Sequence, residues 1–266
     1  MSIQLINSID NAKLDPYRHL RTSNLTRFSG RFIAESKPLV SRLISSGLEV
    51  ESVLIDEKFQ AEAMSWVPND LEVLVVQSDW IEGLVGFNFH RGYLACGVRP
   101  KSRTIVEFCE NWHRSQGWTG CMLVGVQDPE NMGSILRTCA ALGISDIFVG
   151  PDCVDPFARR VLRVSMGNAF KLNFFSVKNP VEAVLRLREA EIQSIATCFA
   201  QDSEELAEFQ RSGPSVVLMG NEAHGLPELV QRAADRRLMI AMDLSTDSLN
   251  VSVATGIILH NLCRVC

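Results

Sequence analysis

Leu238-Met-Ile-Ala-Met242, a polar loop Asp243-Leu-Ser-Thr-Asp247, and then Ser248-Leu-Asn-Val-Ser-Val-Ala-Thr-Gly256 running into Ile257-Ile-Leu-His-Asn-Leu262 form the stretch that decides the fold. A short apolar run, a polar break and a longer largely apolar run read as strand, loop and helix. Asp247 or Ser248 is the expected N-cap, since an oxygen-bearing side chain there accepts from the free N–H groups of the first turn. Small residues in those turns let other backbone approach closely. A packed terminal helix alone would explain this stretch. Two upstream stretches say more.

Working back from it, the same alternation repeats. Strands are expected at 121–126, 146–149, 174–177, 194–199 and 215–219, and helices at 132–142, 156–164, 180–191, 203–210 and 227–234. The strands are short continuous apolar runs, as in a parallel sheet covered by helices on both faces. Ligands of such sheets bind at the carboxyl ends of strands. A looser alternation comes first, with strands at 31–36, 50–55, 71–76 and 92–98 and helices at 37–46, 59–66 and from Ser78, a candidate cap, to Leu84. Turn-rich sequence, with a short helix near Glu107–Trp112, separates the two. The expected partition is 1–100 as a smaller α/β domain, 101–119 as a linker and 120–266 as the main domain.

The 266 residues, 46% hydrophobic and 21% charged, have the composition of a soluble globular protein. No apolar run approaches the roughly 20 residues that span a bilayer, so no membrane partner is expected. The start MSIQLINSIDNAKLDPYRHL lacks the basic and apolar blocks of a signal peptide, and a cytoplasmic location is expected. The net charge of −5 argues against a protein held on nucleic acid by bulk charge. The basic stretch Lys13 to Arg42 is either a solvated face or an RNA contact. Cysteines set in apolar runs (Cys96, Cys121, Cys139, Cys198) suit buried thiols. Cys263-Arg-Val-Cys266 is a lone CxxC whose only close companion is His260, too few ligands for a structural zinc, and no metal is expected.

Three loops carry the chemistry. In Asp128-Pro-Glu-Asn-Met-Gly-Ser-Ile-Leu-Arg-Thr138, Asn131 is placed to cap a helix or to present its amide, and Arg137 offers a planar fork suited to phosphate. Leu218-Met-Gly-Asn-Glu-Ala-His-Gly-Leu226 brackets a strand-to-helix turn with two glycines. A side chain at Gly220 would enter a ligand's space, and Glu222 is catalytic, paired with Arg137 or solvated. The third loop carries Ser248 and Asn250. GxGxxG, GxxxxGK[ST], HExxH and GxSxG are all missing from the sequence, which disfavours the simplest nucleotide cradles and hydrolases.

DPENMGSILRT, LMGNEAHGL and SLNVSVATG, in this order and spacing, resemble the three motifs of the SpoU (TrmH-like) 2'-O-ribose RNA methyltransferases, and Arg163–Phe170 resembles a further block between the first two. The likeness spans the whole main domain. The N-terminal part, from FIAESKPLV onward, more loosely resembles the family's substrate-binding domain. The resemblance implies an α/β fold with a deep trefoil knot of the SPOUT type. It implies S-adenosylmethionine held by the knot loops, by position Thr197, Gly220, Ile240, Met242 and Leu249. Asn131, Arg137, Glu222, Ser248 and Asn250 fall on the family's functional polar positions. The implied partners are ribosomal or transfer RNA rather than DNA, and a second copy of the chain as a homodimer. A non-catalytic RNA-binding relative or a knotted base methyltransferase are the alternatives. His224 is given no role.

Overall fold

The computed structural model describes the chain apart from residues 1, 22–28, 88, 90, 114, 116, 244–247 and 264–266. In chain order the elements are β1 (Ser2–Leu5), β2 (Arg31–Glu35), α1 (Lys37–Ile44), β3 (Val50–Asp56), α2 (Gln60–Ala63), β4 (Glu72–Val76), α3 (Ser78–Val85) and β5 (Tyr93–Val98). There follow β6 (Arg103–Thr104), α4 (Ile105–Glu110), β7 (Thr119–Leu123), α5 (Pro129–Ala141), β8 (Asp146–Val149), α6 (Arg159–Val164), β9 (Asn173–Ser176) and α7 (Pro180–Glu189). The last are β10 (Gln193–Thr197), β11 (Glu204–Glu205), β12 (Ser215–Met219), α8 (Glu228–Ala233), β13 (Arg236–Met239) and α9 (Val251–Leu262).

Two compact units result, one of Met1–Pro100 with Asp155–Phe170, the other of Lys101–Val154 with Lys171–Cys266. This differs from the expected partition in two places. The stretch 101–119 is no linker, because β6 pairs with β9 and α4 opens on a capping box in which Thr104 and Glu107 satisfy each other's backbone N–H. Phe108 and Trp118 then stack against each other and edge onto Phe148. The excursion Asp155–Phe170 belongs to the first unit, where Phe157 lies 4.9 Å and Phe170 5.7 Å from Phe32, and Arg159 meets Glu35 at 2.9 Å.

The first unit is a five-stranded sheet of order β1-β4-β3-β5-β2, parallel across β1, β4 and β3 and antiparallel across β3, β5 and β2. Strand β1 escapes sequence reading because it is short and ordinary in composition. The second unit is an eight-stranded sheet of order β11-β13-β10-β12-β7-β8-β9-β6 with every neighbour parallel. Every residue of the central strands β7 and β12 is buried, which explains their apolar runs after Thr119 and Ser215. Cys96, Cys121 and Cys139 are buried free thiols and Cys198 is half-buried.

The helix expected at 203–210 does not form. Glu204–Glu205 instead extends the sheet beside β13, with Leu206 N donating to Met239 O at 2.9 Å and Arg236 Nε to Glu204 at 2.7 Å. Pairing to a basic strand overrides the weak helical preference of that acidic segment. Gln77, not Ser78, is the N-cap of α3, and Ser78 Oγ donates to Asp56 at 2.6 Å. No described helix is long and apolar enough to cross a membrane.

Candidate active site

Strands β13, β10, β12 and β7 lie side by side and parallel, so the loops after them open at the same sheet edge. The loop after β12 is closed on itself by reciprocal bonds, Asn221 N to Gly225 O at 3.0 Å and Gly225 N to Asn221 O at 2.9 Å. Its first residue must be glycine: a Cβ at Gly220 would lie 2.3 Å from both Gly225 C and Leu226 N. Asn221, which the sequence gives no role, organises the turn. Its Oδ1 accepts from Ala223 N and His224 N, and its Nδ2 donates to Gly125 O at 2.7 Å. A side chain after such a glycine is the signal that could have shown it.

Glu222 points from this turn into the first loop. Its carboxylate accepts from Asn131 Nδ2 at 3.1 Å, Asp128 N at 3.2 Å, Gln127 N at 3.4 Å and Asn221 Nδ2 at 3.4 Å. Partial burial acts to raise its pKa, but the hydrogen bonds from Asn131 and from backbone N–H groups outweigh that and hold it below the ordinary glutamate value. Glu222 is therefore an anion occupied with loop donors, not the partner of Arg137. Asn131 is buried in the first turn of α5, whose cap is Asp128, with its side chain accepting from Glu130 N. On the other side Asn131 Oδ1 accepts from Asn250 Nδ2 at 2.9 Å. Asn250 is itself the N-cap of α9, accepting from Ser252 N and Val253 N. Ser248 is thus not the cap, and Asp247 lies outside the described residues. The structure joins Asn131, Glu222 and Asn250, one from each motif, in a single hydrogen-bonded chain.

Beside that chain is a cavity of about 410 Å³, within the size range of small-molecule sites. Thr197, Gly220, Ile240, Met242 and Leu249 all line it, and so do Ser248 and Glu222. Thr197 Oγ1 donates to Leu218 O at 2.8 Å, which leaves its methyl and backbone for contact. Ala254 and Ile258 of α9 complete the apolar wall. They sit four residues apart on one helical face, a spacing that reads equally as core.

Arg137 stands elsewhere. Six residues past Asn131 on α5, it is about 9 Å along and some 240° round the helix. It is exposed, makes no hydrogen bond or ion pair with another described residue, and lines a groove with Thr138, Gly256, Ile257 and His260 where α5 meets α9. Among the described residues no three His, Cys, Asp or Glu side chains converge as a metal site, and Cys266 lies outside them.

A parallel sheet whose three strand-end loops are tied by Asn131, Glu222 and Asn250 defines a chain of the SpoU rRNA Methylase family, whose model matches residues 120–260, and the chain belongs to it. Among its relatives is an rRNA methyltransferase of Sinorhizobium meliloti whose AdoMet-bound crystal structure it resembles at TM-score 0.83 and 27% identity over 98% of both chains. It is 28% identical to the 23S rRNA (guanosine-2'-O-)-methyltransferase RlmB of Acinetobacter baylyi over 79% of this chain and 85% of the relative. It is 26% identical to an uncharacterized tRNA/rRNA methyltransferase of Mycobacterium bovis over 99% of this chain and 93% of that one.

Proposed function

We propose that this chain transfers the methyl group of S-adenosylmethionine to a ribose 2'-hydroxyl of ribosomal or transfer RNA. The observation that carries the reading is the Asn131–Glu222–Asn250 chain at the wall of the cavity. Incubation with labelled S-adenosylmethionine and total RNA fractions, then mapping of alkali-resistant linkages, tests it. Label appearing only on bases, or on no RNA at all, defeats the reading.

The cavity suits the cofactor: it is largely apolar, and the tight turn at Gly220 brings backbone to its wall. Thr197, Gly220, Ile240, Met242 and Leu249 would hold it. When bound it supplies a methyl already activated on a sulfonium, so the protein's own task is to orient a ribose hydroxyl and assist loss of its proton. Glu222 does not take that proton. Its oxygens are engaged by loop donors, and it positions the first two motifs. Ser248 and the Asn131 and Asn250 amides are the neutral groups left to orient the sugar. Glu222→Gln keeps the shape but lets only one side-chain oxygen accept, and a lowering of the melting temperature by a few degrees is expected. Because its folded pKa is lowered, this contribution is complete above the ordinary carboxylate range and fades as pH falls through the folded value. Thermal melts at pH 7 and pH 3.5 check it. The gap between wild type and Glu222→Gln should shrink in acid, and a gap that stays constant or grows speaks against the role.

The groove beside α5 and α9 supports a homodimer. Val253 and Ile257 on α9 are 50% and 42% exposed, and Arg137 opens on the same groove. Two copies joined through this face bury those side chains and bring Arg137 to a site shared between copies. Ile257→Glu should turn a dimer into a monomer in light scattering while cofactor binding persists. A wild type that is monomeric at micromolar concentration removes the proposal. Ile240, Met242, Ser248 and Leu249, from the described parts of the stretch between β13 and α9, line the same cavity as Thr197 and Gly220, which supports a trefoil knot. A crystallographic trace through 240–250 tests whether α9 threads the loop after β10. A cytoplasmic site of action goes with this reading.

A further inference from the structure

The first unit holds a cleft of about 670 Å³ at the ends of α3 and α6, and four arginines line it: Arg21, Arg159, Arg160 and Arg163. Two acids, Glu35 and Glu82, share the lining. Arg159 accounts for one of them: its guanidinium donates to Glu35 at 2.9 Å and to Leu20 O at 2.8 Å, and covers the Phe87 ring at 4.3 Å. Arg160 is engaged by a partner of its own, which leaves Arg21 and Arg163 against Glu82. Arg21 and Arg163 make no hydrogen bond or ion pair with another described residue. Arg21 is anchored against Gly86, the left-handed C-cap of α3, where an added Cβ would touch the Arg21 Cβ at 3.9 Å.

The local sequence is unfavourable in the free protein. Three of the six residues of α6 are arginine, and Arg163 is the neighbour of both Arg159 and Arg160 at helical spacing. The first turn has no acidic residue and Ala158 gives no side-chain cap, so cations sit at the end of the helix that repels them. The chain as a whole carries −5, so this cleft is a local reversal of sign. An anion in the cleft relieves both conflicts, and Phe87 under its arginine offers an apolar floor.

We propose that this cleft docks the phosphate backbone of the RNA substrate, with Arg21 and Arg163 as the phosphate contacts. The proposal rests on the RNA-methylation reading above. Phosphate contact fixes position on RNA without reading sequence, and so fits a unit that carries none of the three motifs.

The test uses the full chain and Arg21→Gln/Arg163→Gln, with deproteinised total ribosomal RNA as probe, and filter-binding affinity measured from 50 to 300 mM salt. Losing two phosphate contacts should weaken binding roughly tenfold or more at low salt and flatten the log–log salt slope by about 1.5–2. Calorimetric affinity for S-adenosylmethionine and the melting temperature should be unchanged, and Arg21→Gln alone should give about half the slope change. Equal slopes in wild type and double variant overturn the cleft while leaving the methylation reading intact. A wild type that binds no RNA overturns both. A variant whose RNA binding is normal but which no longer binds an acidic protein partner assigns the cleft to that partner and overturns the proposal.

Discussion

Gly220→Val is expected to disrupt the second unit itself, not merely to lower cofactor affinity. By its place in the motif, a side chain there would enter a ligand's space. In the structure it would also collide with the protein itself, since the new Cβ would lie 2.3 Å from Gly225 C and Leu226 N and 2.6 Å from Gly225 O. These are backbone atoms of a turn closed by two hydrogen bonds, so they cannot rotate away as a side chain would. Relief requires opening the turn, which releases Asn221 and withdraws Glu222 from Gln127, Asp128 and Asn131. A loss of about 4 kcal/mol is the right order for overpacking combined with a broken polar network. Gly225→Ala is the control. Gly225 has φ +65° with nothing within 4 Å of an added Cβ, so only dihedral strain of about 1–2 kcal/mol applies. Chemical denaturation should therefore rank wild type, Gly225→Ala and Gly220→Val in falling order. Native stability in Gly220→Val would show that the loop has room the structure denies it.

What the sequence disclosed follows the physics of each element. Strands β7, β8 and β12 were readable because burial leaves a short apolar run in each, although β7 begins at Thr119 and ends at Leu123, earlier than the expected 121–126. β11 was not, because two glutamates carry no strand signal; β13 beside them supplies the reason to extend. The capping box Thr104–Glu107 was present in the sequence and marks α4 as a real helix, yet the surrounding turn residues made 101–119 read as a connection. The placement of Asp155–Phe170 in the first unit depends on Phe157, Arg159 and Phe170 meeting Phe32 and Glu35 from far along the chain. No local pattern encodes that. The five positions expected from the motifs to hold a cofactor line one cavity. What motif order could not convey is which polar groups touch, and there the contacts divide Glu222, Asn131 and Asn250 from Arg137.

Arg137→Ala should lower the single-turnover rate by roughly 30- to 150-fold, the effect of losing a charged hydrogen bond worth about 2–3 kcal/mol in the transition state. The expected role is a clamp on the phosphate beside the target ribose. Its exposure and the lack of an ion-pair partner among the described residues suit the guanidinium to an anion. The competing role is general base. A guanidinium is effectively always protonated in water, so removing its proton at neutral pH costs more than positioning readily offsets. Arg137→Lys separates the two. A clamp keeps its charge but loses its bidentate fork, so partial activity should remain and the pH–rate profile should keep the wild-type shape at lower height. An obligatory base would instead show a wild-type rate rising tenfold per pH unit beyond pH 9, with the lysine variant breaking near pH 10. Profiles at saturating RNA decide the matter, and a break moved downward by lysine sinks the clamp. Because Arg137 stands about 240° round α5 from Asn131, mixed dimers of Arg137→Ala and Asn250→Ala chains add an independent reading. If the site is shared between copies, one of the two active sites in each mixed dimer regains both residues, and activity should return to a chain pair in which each parent is impaired.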